Sequence, residues 1–158
     1  MGARRRAREC ALMILYSVDV NGGWADTVAA RFFEAFAGDA DLDPAPPWAS
    51  DKARAKAFTI GANDEVRAYA TRLVEGVERH QAEIDALVQG ISRNWRLARM
   101  AIVDRNVLRL AAFEMTHLTE EVPRKVAINE AIDVAKRFGT AESGAFVNGI
   151  LDRIGKDR

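Results

Sequence analysis

The chain has 158 residues, with 23 lysines and arginines against 23 aspartates and glutamates, and one cysteine, Cys10. That length suits one compact domain, or two small subdomains sharing a core, and buries roughly 70% of the unfolded surface without help from disulfides or metals. A lone cysteine excludes an internal disulfide and suits a reducing cytoplasm, no apolar run reaches the length of a membrane span, and the basic start lacks the long apolar region and cleavage site of a secretory signal.

The net charge is zero, so the placement of charge carries the information. "RRRAREC" puts Arg4, Arg5, Arg6 and Arg8 within five positions, with no acid before Glu9. Ala7, Cys10, Ala11, Ile14, Leu15 and Val18 follow at helical spacing and predict a helix over about residues 3–20, ended by "NGG" at 21–23. A step of about 100° per residue turns Arg5 and Arg6 away from that stripe, with Arg4 and Arg8 on its flank. The expectation is a cluster of guanidinium forks presented to solvent, able to pair with phosphate through two parallel hydrogen bonds and to stack on bases. At a helix N-terminus such charges oppose the dipole and one another, a cost that points to a negatively charged partner. The competing reading is a solvated basic end that aids solubility.

A second helix, about 25–37, carries Val28, Ala29, Phe32, Phe33 and Phe36, with Gly38 as its stop. "GDADLDPAPPWAS" then predicts a loop, because proline fixes φ and removes donors, and "DKARAKAF" a short helix. Asn63 is a candidate cap for a helix with Val66, Ala70, Leu73, Val74 and Val77 inward, followed by a shorter one marked by Ile84, Leu87, Val88 and Ile91. Val103, Val107, Leu110, Ala111, Met115 and Leu118 form the next stripe, with Asp104 near its start, where negative charge suits the dipole. Pro123 opens a helix that buries Ala127, Ala131, Val134, Ala135 and Phe138 and closes at Gly139. Ser143 is placed to cap the last helix, with Val147, Ile150, Leu151 and Ile154 inward. No segment alternates convincingly enough for a strand. The class is all-α, with six or seven helices.

Catalytic chemistry finds little support. His80 and His117 stand alone in the sequence, without cysteines at metal-ligand spacing. There is no Gly-rich phosphate loop and no nucleophile elbow. Asp39, Asp41 and Asp43 lack the glycine and terminal glutamate of a calcium loop. Cys10 lies on an apolar stripe and reads as a core residue. Arg105 and Arg109, four apart, are within reach of phosphate, although Arg109 falls inside the apolar stripe and is better read as a buried ion pair, with Glu130 as partner. Phe146 sits just off its helix's stripe, either as peripheral packing or as an aromatic that stacks a base. Trp24, Trp48 and Trp95 read as packing residues at helix ends.

Three blocks carry a more specific signal. "VPRKVAINEAIDVAKRFGTAESGAFVNGILDRI" at 122–154 resembles the C-terminal signature of the NusB family of bacterial transcription antitermination factors. "ARRRARECALMILYS" resembles that family's start and "VDRNVLRLAAFEM" its middle helix, in the family's order. The resemblance covers roughly half the chain closely; the 38–50 linker is not typical of the family.

It implies a NusB-like all-α fold of two packed helical subdomains, about 1–80 and 81–158, without catalysis; no metal or cofactor is expected. It implies binding to boxA-type single-stranded RNA of nascent transcripts, notably ribosomal RNA leaders, together with NusE, which is also a small-subunit ribosomal protein. Other Nus factors and RNA polymerase complete the implied complex. By position, Arg4, Arg5, Arg6 and Arg8 match the arginine-rich RNA-binding segment. Phe146 matches an RNA-contacting aromatic, and Glu142 and Ser143 lie in the loop and cap that border the RNA. Tyr16 and Asp104 match positions that meet NusE. Ala145 stands where the family often has a basic residue. NusB-like domains also occur fused ahead of RNA methyltransferases, but a chain of this length leaves no room for a methyl-donor domain. The alternative function is a homodimeric interaction module whose arginines are covered in the free state.

Overall fold

The computed structural model describes residues 2–35 and 64–156. Among them are seven α-helices: α1 (Ala3–Asn21), α2 (Ala25–Ala35), α3 (Asp64–Arg79), α4 (Gln81–Ile91), α5 (Ile102–His117), α6 (Arg124–Phe138) and α7 (Ser143–Lys156). A 3-10 turn, Leu97–Arg99, lies between α4 and α5. The described residues contain no strand, as the all-α reading expects. No helix among them is long and apolar enough to cross a membrane. The acidic linker, "DKARAKAF", Phe36, Gly38, Asn63 and Trp48 lie outside the described residues.

The helix ends follow from local chemistry. The amide of Gly22 closes α1 on the Val18 carbonyl, and Gly22 and Gly23 have φ of 77° and 104°, which glycine adopts at little cost. Pro123 caps α6 and accepts the Ala127 amide, while Gly139 ends the same helix. Asp104 sits in the first turn of α5. Ser143 departs from its expected role. Its hydroxyl accepts the backbone amide of Thr140 at 2.9 Å, so it fastens the turn before α7 to that helix.

The core is continuous. Every residue of the predicted α5, α6 and α7 stripes is buried, as are Val66, Ala70, Leu73, Val74 and Val77 of α3. α1 packs on α3 and α2, and also on α5; α5 in turn packs on α4, α6 and α7. α5 is thus the shared wall between the amino-terminal and carboxy-terminal helices. Gly76 permits the close approach of α3 to α5, because any Cβ there would collide with the Phe113 ring.

Between residues 7 and 15, α1 is buried around its whole circumference, Arg8 and Glu9 included. A helix wheel assigns one inward face, but α1 is enclosed by neighbours on several sides. Arg8 is only 5% exposed, which corrects the expectation that it is presented to solvent.

Candidate nucleic-acid interface

The first turns of α1 hold the four arginines in graded environments. Arg8 lies deepest. Its Nε and Nη2 donate to the two carboxylate oxygens of Glu114 at 2.8 and 2.7 Å, and the Tyr69 hydroxyl donates to the same carboxylate at 2.7 Å. Burial alone would disfavour the Arg8 charge, but Glu114 reverses that balance and holds the guanidinium charged. Burial and the adjacent carboxylate push the Tyr69 phenol up, so it remains a donor. This arginine is structural in its contacts, and its fork is already filled.

Arg5 is half-buried and also engaged. It donates two hydrogen bonds to Glu130, at 2.8 and 2.9 Å, and one to Asp133 at 2.9 Å. The Arg5 hydrogen bond, set against partial burial, holds the Glu130 carboxyl below its usual range. Arg6 is half-buried. Arg4 is exposed; its guanidinium lies 5.0 Å from the Tyr69 ring, donates a long hydrogen bond to the Glu121 carbonyl at 3.4 Å and is 3.9 Å from the Glu121 carboxylate. Of the four, Arg4 offers the most open fork.

These contacts bind α1 to α6 along one line. Glu130 and Asp133 take Arg5, and one turn further on Arg137 donates to both oxygens of Glu9 at 2.8 and 3.0 Å. Burial pushes the Glu9 carboxyl up, and Arg137 partly offsets that. Glu130 and Arg137 are seven residues apart, or about 10 Å along the helix. Past Arg137, the chain turns directly into the Thr140–Ser143 corner and α7. α6 therefore joins the arginine segment to the corner that carries Glu142 and Phe146, although the two lie at opposite ends of the sequence.

At that corner Phe146 is half-buried and packs against the core. With Glu142, Asp104, Trp95, Arg99 and Met100 it lines a groove of about 220 Å³. Glu142 is exposed, whereas Ser143 is buried at 1% and so meets no ligand from the surface. Burial raises the Asp104 carboxyl, and the nearby Ser143 hydroxyl opposes that. Oδ1 of Asp104 is buried with no hydrogen-bond partner among the described residues. Such an acceptor is costly to leave unmet.

Tyr16 is half-buried on α1 and packs against the core. Three residues later, Asp19 accepts from Arg105 at 2.6 and 2.7 Å, from Asn106 at 2.9 Å and from Arg109 at 3.2 Å. The last turns of α1 are thereby fixed against the first turns of α5, so Tyr16 and Asp104 belong to the same end of the molecule. Burial works against ionisation of Asp19, but its hydrogen bonds from Arg105 and Asn106 outweigh burial and lower its pKa.

Several expectations need correction. Arg109 is in an ion pair, but with Asp85 at 2.8 Å and with Asp19; Glu130 is taken by Arg5. Arg105 is committed to Asp19, so its fork is not open to phosphate. Trp24 and Trp95 are 72% and 58% exposed, not packed. His80 and His117 do not stand alone: their rings stack with centroids 4.0 Å apart. The sequence reading also missed Trp95 and Arg99 as groove residues, and Lys136. The Lys136 side chain lies across Gly144, where a Cβ would come within 3.0 Å of it. It puts a cation beside the start of α7, the region where Ala145 supplies none.

Comparison with known proteins adds independent information. Residues 5–156 match the model of the NusB family. The transcription antitermination protein NusB of Sorangium cellulosum (strain So ce56) is 43% identical over 157 residues, covering 99% of this chain and 94% of that protein. The protein of the same name from Myxococcus xanthus (strain DK1622) is 42% identical over 154 residues, 98% of this chain and 95% of its own length. Among solved structures, T. maritima NusB superposes with a TM-score of 0.76 at 30% identity, covering 98% of this chain and 92% of that one. A crystal structure of the antitermination factors NusB and NusE in complex with dsRNA has a chain that superposes with a TM-score of 0.76 at 25% identity, covering 100% and 99%.

Proposed function

This chain belongs to the NusB family, and on that premise we propose that it is a non-catalytic, RNA-binding subunit of a transcription antitermination complex. Its RNA is a boxA-type single strand of nascent transcripts, including ribosomal RNA leaders, and its immediate partner is NusE. The complex forms in the cytoplasm with other Nus factors and RNA polymerase. Helices α1–α3 serve as one subdomain and α4–α7 as the other.

The observation that carries this reading is the junction made by α6. Arg5 on Glu130 and Asp133, and Glu9 on Arg137, tie the arginine segment to the helix that leads into the Phe146 corner. A strand of RNA lying along this junction meets Arg4, Arg5 and Arg6 through its phosphates and stacks a base on Phe146. Glu142 borders the base. Arg8 and Ser143 act from beneath: Arg8 anchors the start of α1 through Glu114, and Ser143 fixes the turn before α7. Tyr16 and Asp104, both half-buried, face NusE.

The test is a salt titration of binding to a labelled boxA-like single strand, with a duplex of the same sequence alongside. Single-strand binding has a log–log salt slope of roughly −0.7 per phosphate neutralised. Arg4→Ala with Arg6→Ala is expected to weaken binding and flatten that slope, with helical content unchanged. An unchanged slope contradicts the reading. Mass measurement in the same samples addresses the homodimer alternative, in which RNA fails to displace a second copy from the arginines.

A further inference from the structure

The chain contains two histidines, and they meet. His80 joins α3 to α4, Glu83 lies in the first turn of α4, and His117 is the last residue of α5. Nε2 of His117 is 3.3 Å from Oε1 of Glu83, and Nδ1 of His80 is 3.6 Å from Oε2. All three ligand atoms lie within 4.8 Å of one another. We propose that His80, Glu83 and His117 form a binding site for a divalent transition-metal ion of the zinc type.

The distances favour a shared cation over direct hydrogen bonds. A good N–H···O bond spans about 2.7–3.2 Å, and both separations here are longer. Metal–nitrogen and metal–oxygen bonds of about 2.0–2.2 Å place two ligands of a tetrahedral ion about 3.3–3.5 Å apart. The carboxylate turns one oxygen to each ring, which brings both nitrogens within reach of one ion. Two imidazoles and a carboxylate suit zinc, cobalt or nickel, and suit magnesium and calcium poorly.

The framework is fixed from three directions. The His80 amide donates to the Gly76 carbonyl at 3.0 Å and its carbonyl accepts from Ile84 at 2.9 Å, which locks the α3–α4 corner. Phe113 stacks on His117 at 5.4 Å and on His80 at 6.1 Å, so it backs both rings. Gly76 in turn seats Phe113. The rings stack 23° from parallel, so binding requires one imidazole to rotate out of the stack until both lone pairs converge on the ion. Both histidines also line a cleft of about 600 Å³, from which water fills the remaining coordination positions. The site lies at the opposite end of α5 from Asp104, about 20 Å away at 1.5 Å per residue. It clips the α3–α4 corner to the end of α5.

The experiment is a titration of untagged protein with Zn²⁺ by calorimetry and with Co²⁺ by visible absorption. One equivalent of metal should bind, the Co²⁺ complex should show the intense bands of a low-symmetry tetrahedral ion, and Mg²⁺ should not compete. His80→Gln and His117→Gln should each weaken Zn²⁺ binding by about tenfold or more, and the double variant should abolish it. Zn²⁺ should raise Tm in the parent protein only. Absence of stoichiometric Zn²⁺ or Co²⁺ binding overturns the proposal, as does equal uptake by the double variant. Should the double variant fail to fold, Glu83→Gln at an exposed side chain decides: unchanged affinity there overturns the proposal, and a loss of about tenfold supports it.

Discussion

Arg8→Ala is expected to destabilise the protein by about 3–5 kcal/mol, the range for breaking a buried ion pair from one side. The loss leaves the Glu114 carboxylate buried at 2% exposure, with the Tyr69 hydroxyl still donating to it. In a chain of this size each kcal/mol moves Tm by about 2–4 °C, so the fall is about 6–20 °C. The mechanism also predicts a rescue. Replacing the whole cluster with apolar groups of similar volume, Arg8→Met with Glu114→Leu and Tyr69→Phe, removes the unpaired charge and should restore most of the lost stability. Urea unfolding followed by circular dichroism gives the stabilities, and anisotropy with a labelled single strand gives RNA affinity. If Arg8 acts only from beneath, the triple variant binds RNA as the parent does. A triple variant that is stable yet has lost RNA binding refutes the positioning role. A single variant within about 1 kcal/mol of the parent refutes the buried-pair reasoning itself.

Three further outcomes follow from the same geometry. Asp19→Asn should cost about 1.5–3 kcal/mol at pH 7, the range for hydrogen bonds to charged groups; because folding lowers the Asp19 pKa, that stability is present above the ordinary aspartate value near 4 and vanishes as pH falls through the folded value, so parent and variant melting curves should converge in acid. Asp104 has the opposite sign: its raised pKa means that ionisation above about pH 4 weakens the fold, so Asp104→Asn should melt within about 1 kcal/mol of the parent while losing NusE affinity about tenfold or more in a pull-down titration. Phe146→Ala should weaken RNA binding by about 1–3 kcal/mol with little change in salt slope, and a change in slope instead would mean that the variant has disturbed the phosphate contacts.

Helix positions were legible because the apolar residues of α3, α5, α6 and α7 recur at helical spacing, and each predicted stripe is buried. Helix partners were less legible. Periodicity reports which face of a helix is apolar but not how many neighbours enclose it, so Arg8 on the flank of α1 read as exposed. Its partners, Glu114 and Tyr69, lie on α5 and α3, 106 and 61 positions away, and no local pattern links them. Arg109 was correctly assigned to an ion pair, but chain order suggested Glu130 on the next helix, whereas packing supplies Asp85 from the preceding one and Asp19 from α1. His80 and His117 come together only because α3 and α5 cross closely at Gly76 and Phe113. The arginine segment and Phe146 were found separately, but their common link through α6 rests on ion pairs more than 120 residues apart in sequence.

In the proposed function one end of the molecule receives both RNA and NusE, since Asp104 and Phe146 line a single groove. Calorimetric titrations in both orders of addition test it most directly. Coupling between such sites is typically 1–3 kcal/mol, or about 5- to 150-fold, and linkage makes it reciprocal. NusE at saturation should tighten binding of the single strand by a factor in that range, RNA should tighten NusE binding by the same factor, and Asp104→Asn should weaken NusE binding while leaving RNA binding to the free protein unchanged. Equal RNA affinities with and without saturating NusE would contradict the account.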